Sequence, residues 1–346
     1  MLSGVELAEL GWLPDRLVRI GIRRLLAARL REEKKLGCEG LSELQRQFVA
    51  ELTQSPIAVH TAAANEQHYE VPARYFELVL GPHRKYSSCL FPTGVADLGQ
   101  AEESMLKLTC ERAGLRDGMD ILELGCGWGS LSLFMAERFR NSRILAVSNS
   151  ASQRESILSL AKARGITNLD VETIDMNAFE ASRRFDRVVS VEMFEHMRNY
   201  QELFFRISQW LKPGGKLFTH VFYHGRCAYP FETDGNNDWM ARHFFTGGTM
   251  PSADLFLCFQ RDLMFEDRWF INGQHYQKTL EAWLIRHDAA DKEILPVFEK
   301  TYGRELALLM FRRWRIFYMA CSELFGYRQG EEWGIAHFLF SKREAA

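Results

Sequence analysis

Apolar positions change their period along this 346-residue chain, and the changes divide it. From Asp15 to Leu36 the apolar Leu17, Ile20, Ile22, Leu25, Leu26 and Leu30 recur at helical spacing against Arg16, Arg19, Arg23, Arg24, Arg29 and Arg31, which predicts an amphipathic helix. Gly37 to Leu41 interrupts it, and a second helix is predicted from Ser42 to Ser55. Ala101–Ala113 is again helical. Short apolar runs then alternate with helical stretches. The strands expected are Ile121–Leu124, Ile144–Val147, Leu169–Ile174, Arg187–Val191 and Lys216–Val221; the helices between them are Leu131–Phe139, Ser152–Arg164 and Asn199–Leu211. Such alternation predicts an α/β fold with a doubly wound, mostly parallel sheet. Right-handed crossovers put the carboxyl ends of its strands on one edge, where ligands bind.

The alternation stops after Val221. Tyr223–Phe259 mixes aromatics, glycine and polar residues and is expected to form an inserted cap. Met264–Ile271 and Gly334–Ser341 read as two more strands, bringing the sheet to seven. Helices near Thr279–His287, Leu295–Tyr302 and Leu306–Phe325 lie between them. The expected organisation is an N-terminal helical segment and lid (1–100), a Rossmann-like ligand-binding core (101–222), a cap (223–262) and a C-terminal part (263–346) that completes sheet and pocket. Within the first part, Thr61–Phe91 concentrates aromatics and hydroxyls among turn signals, as a lid or site wall would.

The chemistry gathers at the strand ends. Asp120-Ile121-Leu122-Glu123-Leu124-Gly125-Cys126-Gly127-Trp128-Gly129-Ser130 reads as a buried strand breaking into a glycine turn before a helix. Glycine admits positive φ and lets a ligand reach the backbone. The alternating glycines differ from the GxGxxG spacing of dinucleotide sites. They suit a compact zwitterion whose amino group Glu123 anchors, the pattern used to hold S-adenosylmethionine; the alternative is a plain tight turn. After the second strand Asn149 and Gln153 offer hydrogen bonds to a diol. After the third, Asp175 is placed to accept from an adenine amino group or to cap a helix. After the fourth, Glu192, Glu195 and His196 stand at i, i+3 and i+4, so a helix there would put all three on one face, able to orient an ammonium and take its proton. The alternative is a solvated face. His220, which ends the fifth strand, and Tyr276, after the sixth, could reach the same pocket.

Composition narrows the partners. A net charge of −2 without a basic stripe argues against nucleic acid. Seven scattered cysteines without CxxC or Cys/His spacing argue for reduced thiols in a cytoplasmic protein and against a metal centre. No run approaches the ~18 apolar residues of a membrane span. The arginine-rich helix is expected to dock on the core with its basic face in water, or to touch an anionic membrane surface. Oligomeric state is open, a homodimer included.

The motifs His68-Tyr69-Glu70-Val71-Pro72, Tyr86-Ser87, Leu124–Gly129, Phe194-Glu195-His196, Pro213-Gly214-Gly215 and Gly247-Gly248 with Pro251 resemble the cyclopropane fatty acid synthase and mycolic acid methyltransferase superfamily. Glu192–Met197, Phe244–Ser252, Asn272–Tyr276 and Gly326–Trp333 resemble its coclaurine N-methyltransferase-like branch. The resemblance implies a class I methyltransferase fold, S-adenosylmethionine as cofactor and a small amine as methyl acceptor. It carries cofactor contact onto Tyr86 and Ser87, the methionine end onto Gly125, Gly127 and Gly129, ribose and adenine onto Gln153, Asp175 and Met176, and amine handling onto Glu192, Glu195 and His196. The lipid-modifying branch is the alternative. It holds bicarbonate as base through a cysteine after Tyr-Ser, a glutamate, a histidine and a tyrosine. Here Glu195, His220 and Tyr276 match, but Ser88 replaces the cysteine and Cys89 follows one place later, so only a main-chain contact could survive. Phe244, Phe245, Trp239 and Trp333 are the expected ring neighbours of an aromatic substrate.

Overall fold

The computed structural model describes residues 3–59, 71–231 and 239–343. At its centre is β1 (Asp120–Leu124), buried at every residue. A strand covered on both faces must be apolar or have its polar groups paired. Asp120 accordingly meets Lys212 and Arg143, and Glu123 accepts from the Ser132 hydroxyl. Around it lie β2 (Arg143–Ser148), β3 (Leu169–Thr173), β4 (Phe185–Val191) and β5 (Leu211–His224). β6 (Tyr229–Pro230) and β7 (Thr249–Met250) pair only with each other, while β8 (Leu263–Ile271) and β9 (Trp333–Lys342) extend the main sheet. Its order is β3-β2-β1-β4-β5-β9-β8. β9 is antiparallel to both neighbours, so it alone runs against the other six. The seven expected strands are present with small boundary shifts. The exception is β5, which takes in the Lys212–Gly215 turn at its start and continues beyond Val221 to His224.

The helices are α1 (Gly4–Glu9), α2 (Asp15–Gln54), α3 (Ala73–Val79), α4 (Leu98–Arg112), α5 (Ser130–Arg138), α6 (Ala151–Ala163), α7 (Tyr200–Trp210), α8 (Trp239–His243), α9 (Gln274–Ala289), α10 (Asp291–Tyr302) and α11 (Arg304–Phe325). Asp97, Ser150 and Asn199 cap α4, α6 and α7 by accepting a main-chain N–H with the side chain, which locates those starts. The expected break at Gly37 is a single residue at φ +63, after which α2 resumes at once.

Three apolar clusters cement the layers. Leu106, Leu131, Leu133 and Ile157 cover one face of the sheet; Tyr200, Leu203, Phe204 and Ile207 of α7 cover the other. A third cluster, rich in aromatics, joins α3, α9, α10 and α11 above the strand ends that carry Trp128, Phe222 and Trp333. The long α2 packs onto this helical layer. Its arginines are not simply a wetted face: Arg19 bonds Glu281 and Glu323, Arg23 bonds Glu323, and Arg29 bonds Glu33 and lies over the Tyr229 ring. Arg16, Arg24 and Arg31 remain exposed. Among the described residues no helix is long and apolar enough to cross a membrane.

Trp314 is the hub of the aromatic layer, with ring neighbours Tyr75, Phe76, Phe244 and Phe317 and no solvent exposure. Trp314→Ala leaves a cavity there and is expected to cost about 3–5 kcal/mol of unfolding free energy, read from urea denaturation.

Candidate active site

The glycine turn opens the site. Gly125 has φ +78, and a Cβ on it would stand 2.5 Å from Cγ of Met193. At Gly127, φ +49, nothing lies within 4 Å of a Cβ, so bare backbone faces open space. Two adjoining cavities share Gly125, Gly127, Gln153, Met193 and His196 in their walls. The smaller adds Asn149, Asp175 and Met176. The larger adds Lys85, Tyr86, Ser87 and Glu123, then turns apolar at Phe222, Phe245, Met250 and Phe325.

These walls fit S-adenosylmethionine. Trp128 Nε1 and Ser130 Oγ, both on the larger cavity, are buried polar atoms without a hydrogen-bond partner among the described residues, as a polar ligand requires. Burial pushes the Glu123 carboxyl up to about 8, with the Ser132 hydroxyl opposing the shift. An amino-acid ammonium beside it would restore its charge. Neutral amide and hydroxyl groups (Ser148 donates to Gln153 at 2.7 Å) line the side where a ribose would lie.

Glu192 stands where the two functional ends meet. Its backbone is left-handed at φ +48, rare for a residue with a Cβ and a local strain. The bend follows β4 directly and aims the carboxylate across β5. There Oε1 accepts from the Ser88 main-chain N–H at 2.8 Å and lies 3.1 Å from His220 Nε2; Oε2 accepts from the Tyr276 hydroxyl at 2.6 Å. Burial raises the Glu192 pKa above the ordinary carboxylate value, opposed by Lys85, Tyr276 and Ser88. Lys85 is itself buried, donates to Ser87 Oγ, and is lowered by that burial.

Some expectations need correction. Glu192, Glu195 and His196 do not share a helix face: after the left-handed residue only Phe194–His196 form a short 3-10 turn. His196 lines both cavities, its ring 4.6 Å from that of Phe245. Glu195 and His220 are fully buried and do not line either cavity. Glu195 accepts from the Phe222 main-chain N–H at 2.7 Å, and burial, with Glu192 nearby, holds its pKa well above the usual range. Gly129 also lies off the walls and serves as the left-handed residue before α5. Of the expected ring neighbours only Phe245 faces the cavity; Trp239 donates to Glu9, Trp333 lies near Tyr229 and Phe244 stacks on Phe317. His68, Tyr69 and Glu70 lie outside the described residues. Lys85 was missed, although it immediately precedes Tyr86-Ser87.

Metal-ligating side chains converge once among the described residues: Glu33, His224 and Cys227 lie within 4.8 Å of one another. Nδ1 of His224 accepts from the Cys227 main-chain N–H at 3.1 Å, which leaves its proton on Nε2, 3.6 Å from Glu33. Arg29 holds the other Glu33 oxygen. No imidazole lone pair is free for a metal, and His224 Nε2 has no hydrogen-bond partner among the described residues.

The model of the mycolic acid cyclopropane synthetase family matches residues 58–332. The chain belongs to this family. It is 38% identical to (S)-coclaurine N-methyltransferase of Thalictrum flavum subsp. glaucum, over 97% of this chain and 94% of that one. It is 30% identical to cyclopropane-fatty-acyl-phospholipid synthase of Escherichia coli (strain K12), over 78% of this chain and 66% of that one. A crystal structure of coclaurine N-methyltransferase bound to N-methylheliamine and S-adenosylhomocysteine superposes with a TM-score of 0.94 at 37% identity, covering 97% of this chain and 98% of that one. This family member is an enzyme, an S-adenosylmethionine-dependent N-methyltransferase with the class I fold.

The Glu123 carboxyl is expected to make cofactor binding depend on pH. Its pKa near 8 leaves it protonated below that pH, whereas a bound ammonium favours the ionised form. Affinity is therefore expected to weaken as pH falls below about 8, with proton release on binding. Calorimetry in buffers of different ionisation enthalpy reads this release, and Glu123→Gln is expected to lose that contribution.

Proposed function

We propose that this family member methylates the nitrogen of a benzylisoquinoline-like or related aromatic amine, with Glu192 as the group that holds the ammonium and accepts its proton. The observation that carries the reading is the Glu192 carboxylate on the cavity wall, held by Ser88, His220 and Tyr276 at the seam between the glycine turn and the apolar end. A secondary amine is protonated near neutral pH and has no lone pair until a base takes the proton. The raised Glu192 pKa makes the carboxylate a better base than an ordinary surface glutamate. His196 and Phe245 flank the approach, and a π face there suits a cationic nitrogen. S-adenosylmethionine supplies the electrophilic methyl, which nitrogen takes in an SN2 displacement that leaves S-adenosylhomocysteine. Tyr86, Ser87, Gly125 and Gly127 would hold its amino-acid end over Glu123, and Asn149, Gln153, Asp175 and Met176 its nucleoside.

The substrate class rests on the apolar cavity end and on the relatives that act on alkaloids. The same geometry weighs against lipid cyclopropanation: the Ser88 N–H, His220 and Tyr276, which the lipid branch would turn to bicarbonate, are engaged by the protein's own Glu192. The free state of all seven cysteines supports a cytoplasmic location.

A labelled-methyl screen of tetrahydroisoquinolines and unsaturated phospholipid vesicles side by side tests the reading. Label is expected in the amines; label in phospholipid would overturn it. Glu192→Gln keeps the shape but cannot take the proton, and kcat is expected to fall by about 10²–10⁴ with cofactor affinity retained. In the unaltered enzyme kcat is expected to drop as pH falls through the raised Glu192 pKa.

A further inference from the structure

Behind Glu192 a line of buried groups runs through the sheet. Glu192 Oε1 lies 3.1 Å from His220 Nε2, His220 Nδ1 lies 2.9 Å from His337 Nε2, and His337 Nδ1 lies 3.0 Å from Nη1 of Arg112. His220 and His337 are register partners in the antiparallel pair β5/β9, and neither has any solvent exposure. Arg112 ends α4, half-buried, with its guanidinium 5.1 Å from the Trp269 ring.

The direction of these hydrogen bonds follows from Arg112. A guanidinium has donors only and keeps its charge in proteins. His337 Nδ1 must therefore accept, which puts the His337 proton on Nε2. His220 Nδ1 must then accept from it, which puts the His220 proton on Nε2, facing Glu192. Both imidazoles are neutral, because burial and the nearby cations hold their pKa values well below the ordinary one. Every N–H in the line points inward.

We propose that Arg112 and His337 form a tautomer lock: positioning residues that oblige His220 to donate to Glu192 and so keep Glu192 free to accept the proton of the amine. The proposal rests on the reading of Glu192 as the base. Reversed tautomers would set a His337 N–H against the guanidinium and turn the His220 lone pair toward the carboxylate. Glu192 would then be favoured in its protonated form, useless as an acceptor. The lock also closes the sheet to the departing proton, since Arg112 cannot take one, so that proton leaves Glu192 by the cavity side. Other groups bear on Glu192: Lys85 and Ser88 from the segment before α4, Tyr276 from α9, Glu195 from the turn after β4 and Cys321 from α11. Glu111 and Asp267 bear on Arg112, and Lys85 on both histidines. Within the hydrogen-bonded line, the polarity begins at Arg112.

The test uses the full-length enzyme with ¹⁵N-labelled histidine. Long-range proton–nitrogen spectra are expected to show Nε2 protonated and Nδ1 unprotonated in both His220 and His337 across neutral pH. His337→Phe and Arg112→Met remove the lock. Both are expected to mix the His220 tautomers, move the acid limb of the kcat profile upward and lower kcat by about tenfold or more, with cofactor Kd little changed. His337→Gln can accept from Arg112 through its carbonyl and donate to His220 through its amide, and is expected to restore most of the loss. If His337→Phe does not fold, Arg112→Met, nearer the surface, carries the same comparison. An unprotonated His220 Nε2 in the unaltered enzyme would overturn the proposal. So would lock-free variants with unchanged spectra and pH profile, or a His337→Gln no better than His337→Phe. A Glu192→Gln enzyme with full rate, alongside the expected nitrogen pattern, would overturn the base role, and with it the lock's purpose, and leave only the tautomer assignment standing.

Discussion

A carboxylate buried between three chain segments organises this enzyme. Glu192 brings together the Ser88 segment that precedes α4, the His220 position on β5 and the Tyr276 start of α9. A charge taken out of water is costly unless hydrogen bonds replace the lost solvation. Three donors meet it here, and they come from parts of the chain that are far apart in sequence. The left-handed bend at Glu192 directs its side chain across β5 toward these donors. Strain of this kind persists where the surroundings over-determine the geometry.

On the proposed reading, this arrangement also distinguishes chemistries within one family. A fold shared by amine and lipid enzymes does not choose a substrate. On the proposed reading, an internal carboxylate in place of an external base does so more directly, because it puts a proton acceptor and a counter-charge for an ammonium in the same atom pair. The apolar end of the cavity, with Phe222, Phe245 and Phe325, excludes water from the neighbourhood of that charge and strengthens its field. Glu123 plays a different part at the far side of the glycine turn. Burial there pushes its carboxyl up to about 8, toward the neutral form at neutral pH.

The architecture was largely legible in the amino-acid sequence. Short apolar runs and the 3.6-residue period are local, and they placed the seven main strands and most helices within a few residues. The turn at Gly125–Gly129 was equally legible, because alternating glycines after a buried strand have few structural uses. Tyr86, Ser87, Gln153 and Asp175, onto which the motifs carry cofactor contact, line the two cavities. The misses were long-range. A helix face for Glu192, Glu195 and His196 was a reasonable use of spacing, but spacing says nothing of a positive φ that the surrounding fold imposes. Trp239, Phe244 and Trp333 were expected at the substrate because they are aromatic; the aromatic layer that buries them is set by how α9, α10 and α11 stack, which no local window reports.

The chain by itself thus determined the order of strands and helices, the glycine cradle and the kind of side chain at each strand end, because each depends on neighbours a few positions away. Tertiary structure alone decided which of those side chains meet. His337 lies 117 residues from His220 and becomes its partner only through the register of β5 against β9. Register is a property of two paired strands and of the core that holds them. A slip of one residue would turn His337 to the other face of the sheet and leave His220 without the donor that sets its proton.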